Sequence, residues 1–287
     1  MILGNAWRRL LRHRLAAFGV GVLGLLVAAA VLAPWLAPYD PFEVFRSSAG
    51  RIRIWEPPSA DHLLGTDKFG RDVLSRLIFG SRVSLLIGLS VAVISTAIGA
   101  ALGAVAGFLG GAVDNALMRV TDAVLAFPVL FLLITAAVVI GPSVTTIILV
   151  ISLFSWPRIC RIVRAEFLRL RTAEFVAAAR SLGASDLRVV ALHLLPNSAA
   201  SMTVNATLDI GRAILLEASL SFLGVGVPQP IASWGNMLNE ALSLTVIRGM
   251  PWLWVSAGVC ILLTILSLNF LGDGLRDALD PRMSTSV

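Results

Sequence analysis

Ala123-Val-Leu-Ala-Phe-Pro128-Val-Leu-Phe-Leu-Leu-Ile-Thr-Ala-Ala-Val-Val-Ile140-Gly141-Pro142-Ser143-Val-Thr-Thr-Ile-Ile-Leu-Val-Ile-Ser-Leu-Phe-Ser-Trp-Pro157 contains no charged side chain. A helix needs about 20 apolar residues to cross a hydrocarbon core, so this run is too long for one crossing. Gly141-Pro142-Ser143 interrupts it with turn-forming residues. The run therefore predicts two spans, the second continuing to about Arg161 with Arg158 and Arg161 snorkelling at the membrane boundary. Outward from it, Val83–Gly111 is also uncharged, and Leu15–Leu36, Ala199–Leu223 and Gly249–Gly272 are the remaining apolar segments. The fold class is thus an all-α integral membrane protein with six transmembrane helices, and an even count puts both termini on one side.

Composition agrees. The chain is 57% hydrophobic and 14% charged, with a mean hydropathy of +0.87, whereas soluble domains average about 45–50% and about 25%. The net charge of +6 does not point to nucleic acid, because basic residues of a multi-span chain mark its cytoplasmic loops. Fourteen lie on the side of the N-terminus (Arg8, Arg9, Arg12, Arg14, Arg119, seven Arg between 158 and 188, Arg276, Arg282), against eight on the other. The bias predicts cytoplasmic termini. The apolar run Leu15 to Ala33 is longer than the 7–15 residues of a signal-peptide core and reads as an uncleaved first span. Cys160 and Cys260 have no His or Cys neighbours at metal-ligand spacing and read as packing residues.

The chain has no phosphate-cradling G-x-x-x-x-G-K-[ST], no G-x-S-x-G and no H-E-x-x-H, and His13, His62 and His193 are far apart in sequence. No catalytic site, cofactor site or metal site is expected on it.

Between the fourth and fifth spans lies a polar insert, Glu174-Phe-Val-Ala177-Ala178-Ala179-Arg-Ser-Leu-Gly183-Ala-Ser185-Asp186-Leu-Arg-Val-Val-Ala-Leu-His193-Leu-Leu195-Pro196-Asn. Three alanines favour a helix over 174–182, with Glu174 suiting its first turn. Gly183 is placed as a left-handed C-cap. Ser185 is placed to cap a second helix that begins with Asp186 and stops at Pro196. Ala178-Ala179, three residues, Gly183, nine residues, then His193-Leu194-Leu195-Pro196 resembles the E-A-A-x3-G-x9-I-x-L-P signature of ABC-importer permeases. Ala177 stands at the acidic position, with Glu174 a turn earlier, and His193 stands at the Ile position.

Three further segments narrow the resemblance to the C-type permease subunit of dipeptide and oligopeptide importers. The first runs from His62 through Gly65-Thr66-Asp67 and Gly70-Arg71-Asp72 to Arg82. It reads as a turn and helix cap, then an amphipathic helix over 71–82 with Val73, Leu74, Leu77 and Ile78 on one face, lying on the outer surface and leading into the second span. The second is Glu217-Ala-Ser-Leu-Ser-Phe-Leu-Gly224-Val-Gly226 with Ser233-Trp234-Gly235. The third is the tail Gly272-Asp-Gly-Leu-Arg276-Asp277-Ala-Leu-Asp280-Pro281-Arg282.

The resemblance implies a type I ABC importer permease fold in a bacterial cell membrane. Residues 1–82 would form a first span plus an extracytoplasmic segment, and residues 83–287 a permease core with a cytoplasmic coupling loop at 163–197. It also implies a homologous second permease subunit, two cytoplasmic ATPase subunits that carry ATP and Mg, an extracytoplasmic substrate-binding protein and a peptide substrate. Glu174, Ala178, Ala179, Gly183, Asp186, Leu195 and Pro196 would form the ATPase-coupling loop. Nickel chelates or glutathione are alternative substrates, and a stand-alone proton-coupled carrier is the rival class.

Asp209, Arg212 and Glu217 fall within the fifth span. Each would cost about 2.5–3.5 kcal/mol at the bilayer centre, so they must face a path, a partner or one another. Asp209 and Arg212 are three apart and can pair. Two readings stay open: a self-neutralised pair at a subunit interface, or, with Asn205, a border of the translocation path. Glu217 lies nearer the outer boundary, either wet or anchoring the 224–235 loop. Gly99, Gly103 and Gly107 form a small-residue ridge, either for packing within the chain or for the seam with a second subunit.

Overall fold

The computed structural model describes residue 10 and residues 13–279. Arg8, Arg9 and Arg12 of the basic N-terminus and Asp280, Pro281 and Arg282 of the tail motif lie outside them. The described residues are helical throughout the bundle, with only two isolated bridges, Arg46 to Ile52 and Thr66 to Asp72.

Helix α1 is Arg14–Val31, continued by a single turn at Ala33–Leu36 with Pro34 in its first turn, where the missing N–H costs nothing. Helix α2, Val73–Leu109, runs 37 residues without a break, about 55 Å at 1.5 Å per residue. The amphipathic helix expected over 71–82 does lead into the second span, as the first turns of α2, but it is not a surface element: Val73, Ser75, Arg76 and Gly80 are buried, and the boundary between 82 and 83 falls inside the helix. The sequence holds no proline between 73 and 109 that could stop it. Its cap is Asp72, whose Oδ2 accepts from Ser75 N at 2.7 Å, not the Gly65-Thr66-Asp67 turn.

Helices α3 (Gly111–Ala126) and α4 (Val129–Ile140) meet at an 83° bend. Pro128 excludes helical backbone from Phe127 before it, which sits at φ −91°, ψ 138°. The third expected span is thus a bent pair that starts near Gly111. Helix α5, Val144–Leu170, is the expected fourth span, capped by Ser143 and carrying Pro157 inside it. The insert contains α6 (Glu174–Ser181) and α7 (Asp186–Val189), followed by a π-helical turn, Val190–Leu194, that leads into α8 (Leu195–Phe222). Pro196 does not terminate the second insert helix: it occupies the first turn of α8, where a proline is tolerated. After the short α9 (Trp234–Leu238) and three turns comes α10, Val255–Leu279.

Helices α1, α2, α5 and α10 are long and apolar enough to cross a membrane, and the α3–α4 pair makes a fifth candidate if counted together. Helix α8, at 28 residues, has the length (about 42 Å) but carries Asp209, Arg212 and Glu217. It lies in the middle of the bundle, packed on α2, α10 and α5.

The most extensive contact is α2 on α5. A Cβ on Gly99 would stand 2.7 Å from Trp156 O, on Gly103 2.5 Å from Cys160 O, and on Gly107 2.8 Å from Arg164 O. The small-residue ridge therefore serves packing within this chain, backbone against backbone. Below it, Phe167, Leu170, Val176, Val189 and Leu194 form one buried cluster that joins the end of α5 to the insert.

Candidate functional site

The insert is a tight structure with a rigid root. Gly183 sits at φ +81°, a left-handed geometry that glycine adopts without the Cβ penalty. Gly183 N donates to Arg180 O at 2.9 Å and Ala184 N to Ala179 O at 3.1 Å, the paired bonds of a Schellman cap. Ser185 Oγ accepts from Arg188 N at 3.4 Å to start α7, and Arg180 bridges the turn to Asp186 at 3.2 Å. Val176, Val189 and Leu194 are buried against α5. Arg171 Nη1 donates to Gly107 O at 3.2 Å at the end of α2, and Arg180 lies 5.7 Å from the Phe108 ring. These contacts join the insert to the ends of both α2 and α5.

Of the expected coupling residues, Glu174, Ala178, Gly183, Asp186 and Pro196 are exposed, while Ala179 and Leu195 are half-buried. Sequence reasoning missed Leu182 and Leu187, which flank the Gly183 turn with 90% and 78% of their surface exposed. The available signal was two leucines that directly flank the Gly183-Ala-Ser-Asp186 turn.

Inside the bundle, Arg212 Nη1 donates to Asp209 Oδ1 at 2.5 Å, so the two do pair. The other oxygen, Asp209 Oδ2, is buried and has no hydrogen-bond partner. Asn205 is on the same helix face and spends its Nδ2 on Ser201 O at 2.8 Å.

Glu217 does not join them. It is fully buried and organises the loop that follows α8. Its Oε1 accepts from Ser221 Oγ at 2.7 Å and Ser233 Oγ at 2.9 Å, and its Oε2 from Ser84 Oγ at 3.3 Å. Each serine in turn accepts a backbone N–H: Val227 to Ser221 at 3.0 Å, Asn236 to Ser233 at 3.1 Å, Trp234 to Ser84 at 3.1 Å. One carboxylate thus fixes the 224–236 loop on α2 and α8 through three hydroxyl relays. Of the two readings of Glu217, the structure selects the anchor.

A second network closes the same end of the bundle. Asp67 Oδ2 contacts Arg71 at 2.7 Å and Arg76 at 3.3 Å. Arg71 reaches Gln229 Oε1 at 3.2 Å, Arg76 reaches Pro230 O at 3.2 Å, and Lys68 meets Glu240 at 3.4 Å. These bonds tie the 37–82 segment to the 224–250 loop. Burial pushes the Glu240 carboxyl above its ordinary value, opposed by Lys68. Among the described residues no His, Cys, Asp and Glu cluster could hold a metal.

Residues 99–285 match the model of the binding-protein-dependent transport system inner membrane component, and residues 2–58 match the N-terminal TM domain of oligopeptide transport permease C. A protein of Brucella abortus named as a peptide transport system permease is 44% identical over 276 residues, 96% of this chain and 90% of its own. The dipeptide transport system permease protein DppC of Bacillus subtilis is 40% identical over 279 residues, covering 97% and 85%.

Proposed function

The chain belongs to the family of binding-protein-dependent transport system inner membrane components, and on that premise we propose that it is the transmembrane subunit of an ATP-driven peptide importer. It would form half of a translocation path with a homologous permease subunit and cross the bilayer six times with both termini in the cytoplasm, α8 being the polar crossing that faces its neighbours. Hydrolysis takes place on two partner ATPase subunits, which hold ATP and Mg; this chain contributes no catalytic group. An extracytoplasmic binding protein delivers the peptide onto the surface built by residues 37–82 and 224–250. The peptide reading over nickel chelates or glutathione is supported by the relatives, which are named for peptide and dipeptide transport.

The observation that carries the coupling role is the insert itself. Its exposed face, Glu174, Ala178, Gly183, Asp186 and Pro196 with Leu182 and Leu187, is turned outward, while its buried face is welded to α5. ATPase closure would move such an insert as a rigid body and tilt α2 and α5 with it, the rigid-body form of switching. A carrier working alone would have no use for it.

The test is uptake and hydrolysis in the complete reconstituted complex bearing Gly183→Val. A β-branched residue at φ +81° is strained by about 1–2 kcal/mol, enough to disturb the turn that carries Leu182 and Leu187. ATP hydrolysis should continue while peptide uptake falls. Normal uptake by the variant would defeat the coupling assignment.

A further inference from the structure

The register of α5 against α8 is set by one hydrogen bond, Ser201 Oγ to Glu166 Oε1 at 2.9 Å. The helices run antiparallel, so eight residues outward from this bond, about 12 Å, place Arg158 of α5 at the level of Asp209 of α8. Arg158 thus lies halfway along α5. Its guanidinium is exposed and within electrostatic reach of both Asp209 and Arg212. It takes part in no ion pair or side-chain hydrogen bond among the described residues. The Arg212 side chain, although paired, is 40% exposed. Pro157, next to Arg158, has no N–H for the helical ladder, which frees the carbonyl of Leu153 at the same level.

Two guanidiniums therefore stand near one carboxylate that bonds only Arg212, and its second oxygen, Asp209 Oδ2, is unpartnered in a residue only 6% exposed. One positive charge is left over at the level of Asp209. Charged side chains at that level line water-filled cavities or pair with one another rather than meet acyl chains. Arginine presents five N–H donors in a planar fork that matches a carboxylate. Asp209 Oδ1 uses one N–H of Arg212 and orients the rest.

We propose that Arg158 and Arg212, held level by the α5–α8 register and oriented by Asp209, form a cationic station in the path for the free C-terminal carboxylate of a peptide in transit. This rests on the importer reading above. Every unmodified peptide carries that carboxylate whatever its side chains, so the station reads a feature common to all of them. One surplus charge in a wet path attracts without trapping, which passage requires: entry must be favourable and departure easy.

The complete importer, with its ATPases and binding protein, is reconstituted in proteoliposomes. It is given a mixed tripeptide pool or the same pool with amidated C-termini, and uptake is read by mass spectrometry. The binding protein is the same in every sample, so its own preference cancels when variant is compared with wild type. Arg158→Gln and Arg212→Gln should each reduce the free-acid over amide preference about tenfold, the loss of one charge-assisted bond. Arg158→Lys should restore most of it, which a packing role would not require. Equal loss of both pools would assign the arginines to an acidic residue of the partner subunit and overturn the station, as would an unchanged preference. Absence of ATP-dependent uptake by the wild-type complex would instead sink the importer reading, and the station with it.

Discussion

Truncating Leu182 to alanine isolates the contact proposed between the insert and an ATPase partner, because this side chain touches almost nothing in its own chain. With 90% of its surface exposed, it contributes little to folding, and exposed substitutions of this kind change stability by about 0.5 kcal/mol or less. Burying a leucine in a partner's cleft is worth about 1.5–3 kcal/mol, most of it lost on truncation. A loss of about 2 kcal/mol weakens ATPase binding about 30-fold. Leu187→Ala, starting from 78% exposure, should have a similar effect. The pair sits on one turn, so the double variant should deviate from additivity. The assay is titration of purified ATPase subunits onto the detergent-solubilised permease, with thermal unfolding of the permease alone as the control. Unaltered binding would refute the docking role of Leu182. A fall in thermal stability together with binding would show that its packing, and not its exposure, is what matters.

Three further outcomes are expected. Gly103→Ala places a methyl 2.5 Å from Cys160 O and 2.9 Å from Val163 Cβ; overpacking of this kind costs about 1–3 kcal/mol, and the detergent-solubilised chain should unfold at lower temperature, unlike Gly21→Ala, which meets no atom within 4 Å. Asp209→Asn and Arg212→Gln combined should destabilise less than the sum of the two, since each alone strands its partner; additive losses in thermal unfolding would contradict the pairing. Glu240 is a carboxyl raised by burial, so its contribution to stability is present at acid pH and lost as pH rises through its folded-state value. Glu240→Gln should flatten this decline, and an identical pH profile of unfolding temperature for variant and wild type would rule it out.

What could be read from residues alone was mainly local. Three alanines, Gly183 and Ser185 are enough to write a helix, a left-handed cap and a second helix start, because each rule acts within one turn of chain. The break at Gly141-Pro142-Ser143 was legible for the same reason. The bend at Phe127-Pro128 was not: a proline inside an apolar run is compatible with a kinked span or a break, and packing decides between them. Helix α3 was hidden by Asp114, Arg119 and Asp122, whose charges resemble a loop until Arg164 and Arg161 of α5 are seen pairing with the two carboxylates. The Glu217 hub depends on Ser84, 133 residues away, a distance at which sequence periodicity carries no information.

The polarity of α8 also bears on how the chain enters the bilayer. Judged alone, a segment holding Asp209, Arg212 and Glu217 would partition poorly from the translocon into lipid, at about 2.5–3.5 kcal/mol for each charge near the centre. Its hydroxyl donors for Glu217 include Ser84 on α2, and its Ser201 bonds Glu166 on α5. Both of those helices are synthesised earlier. Biogenesis is therefore ordered: α8 is stable in the membrane only where its predecessors already wait as its solvent, so a defect that delays α2 or α5 should surface as failed insertion of a helix it does not touch in sequence.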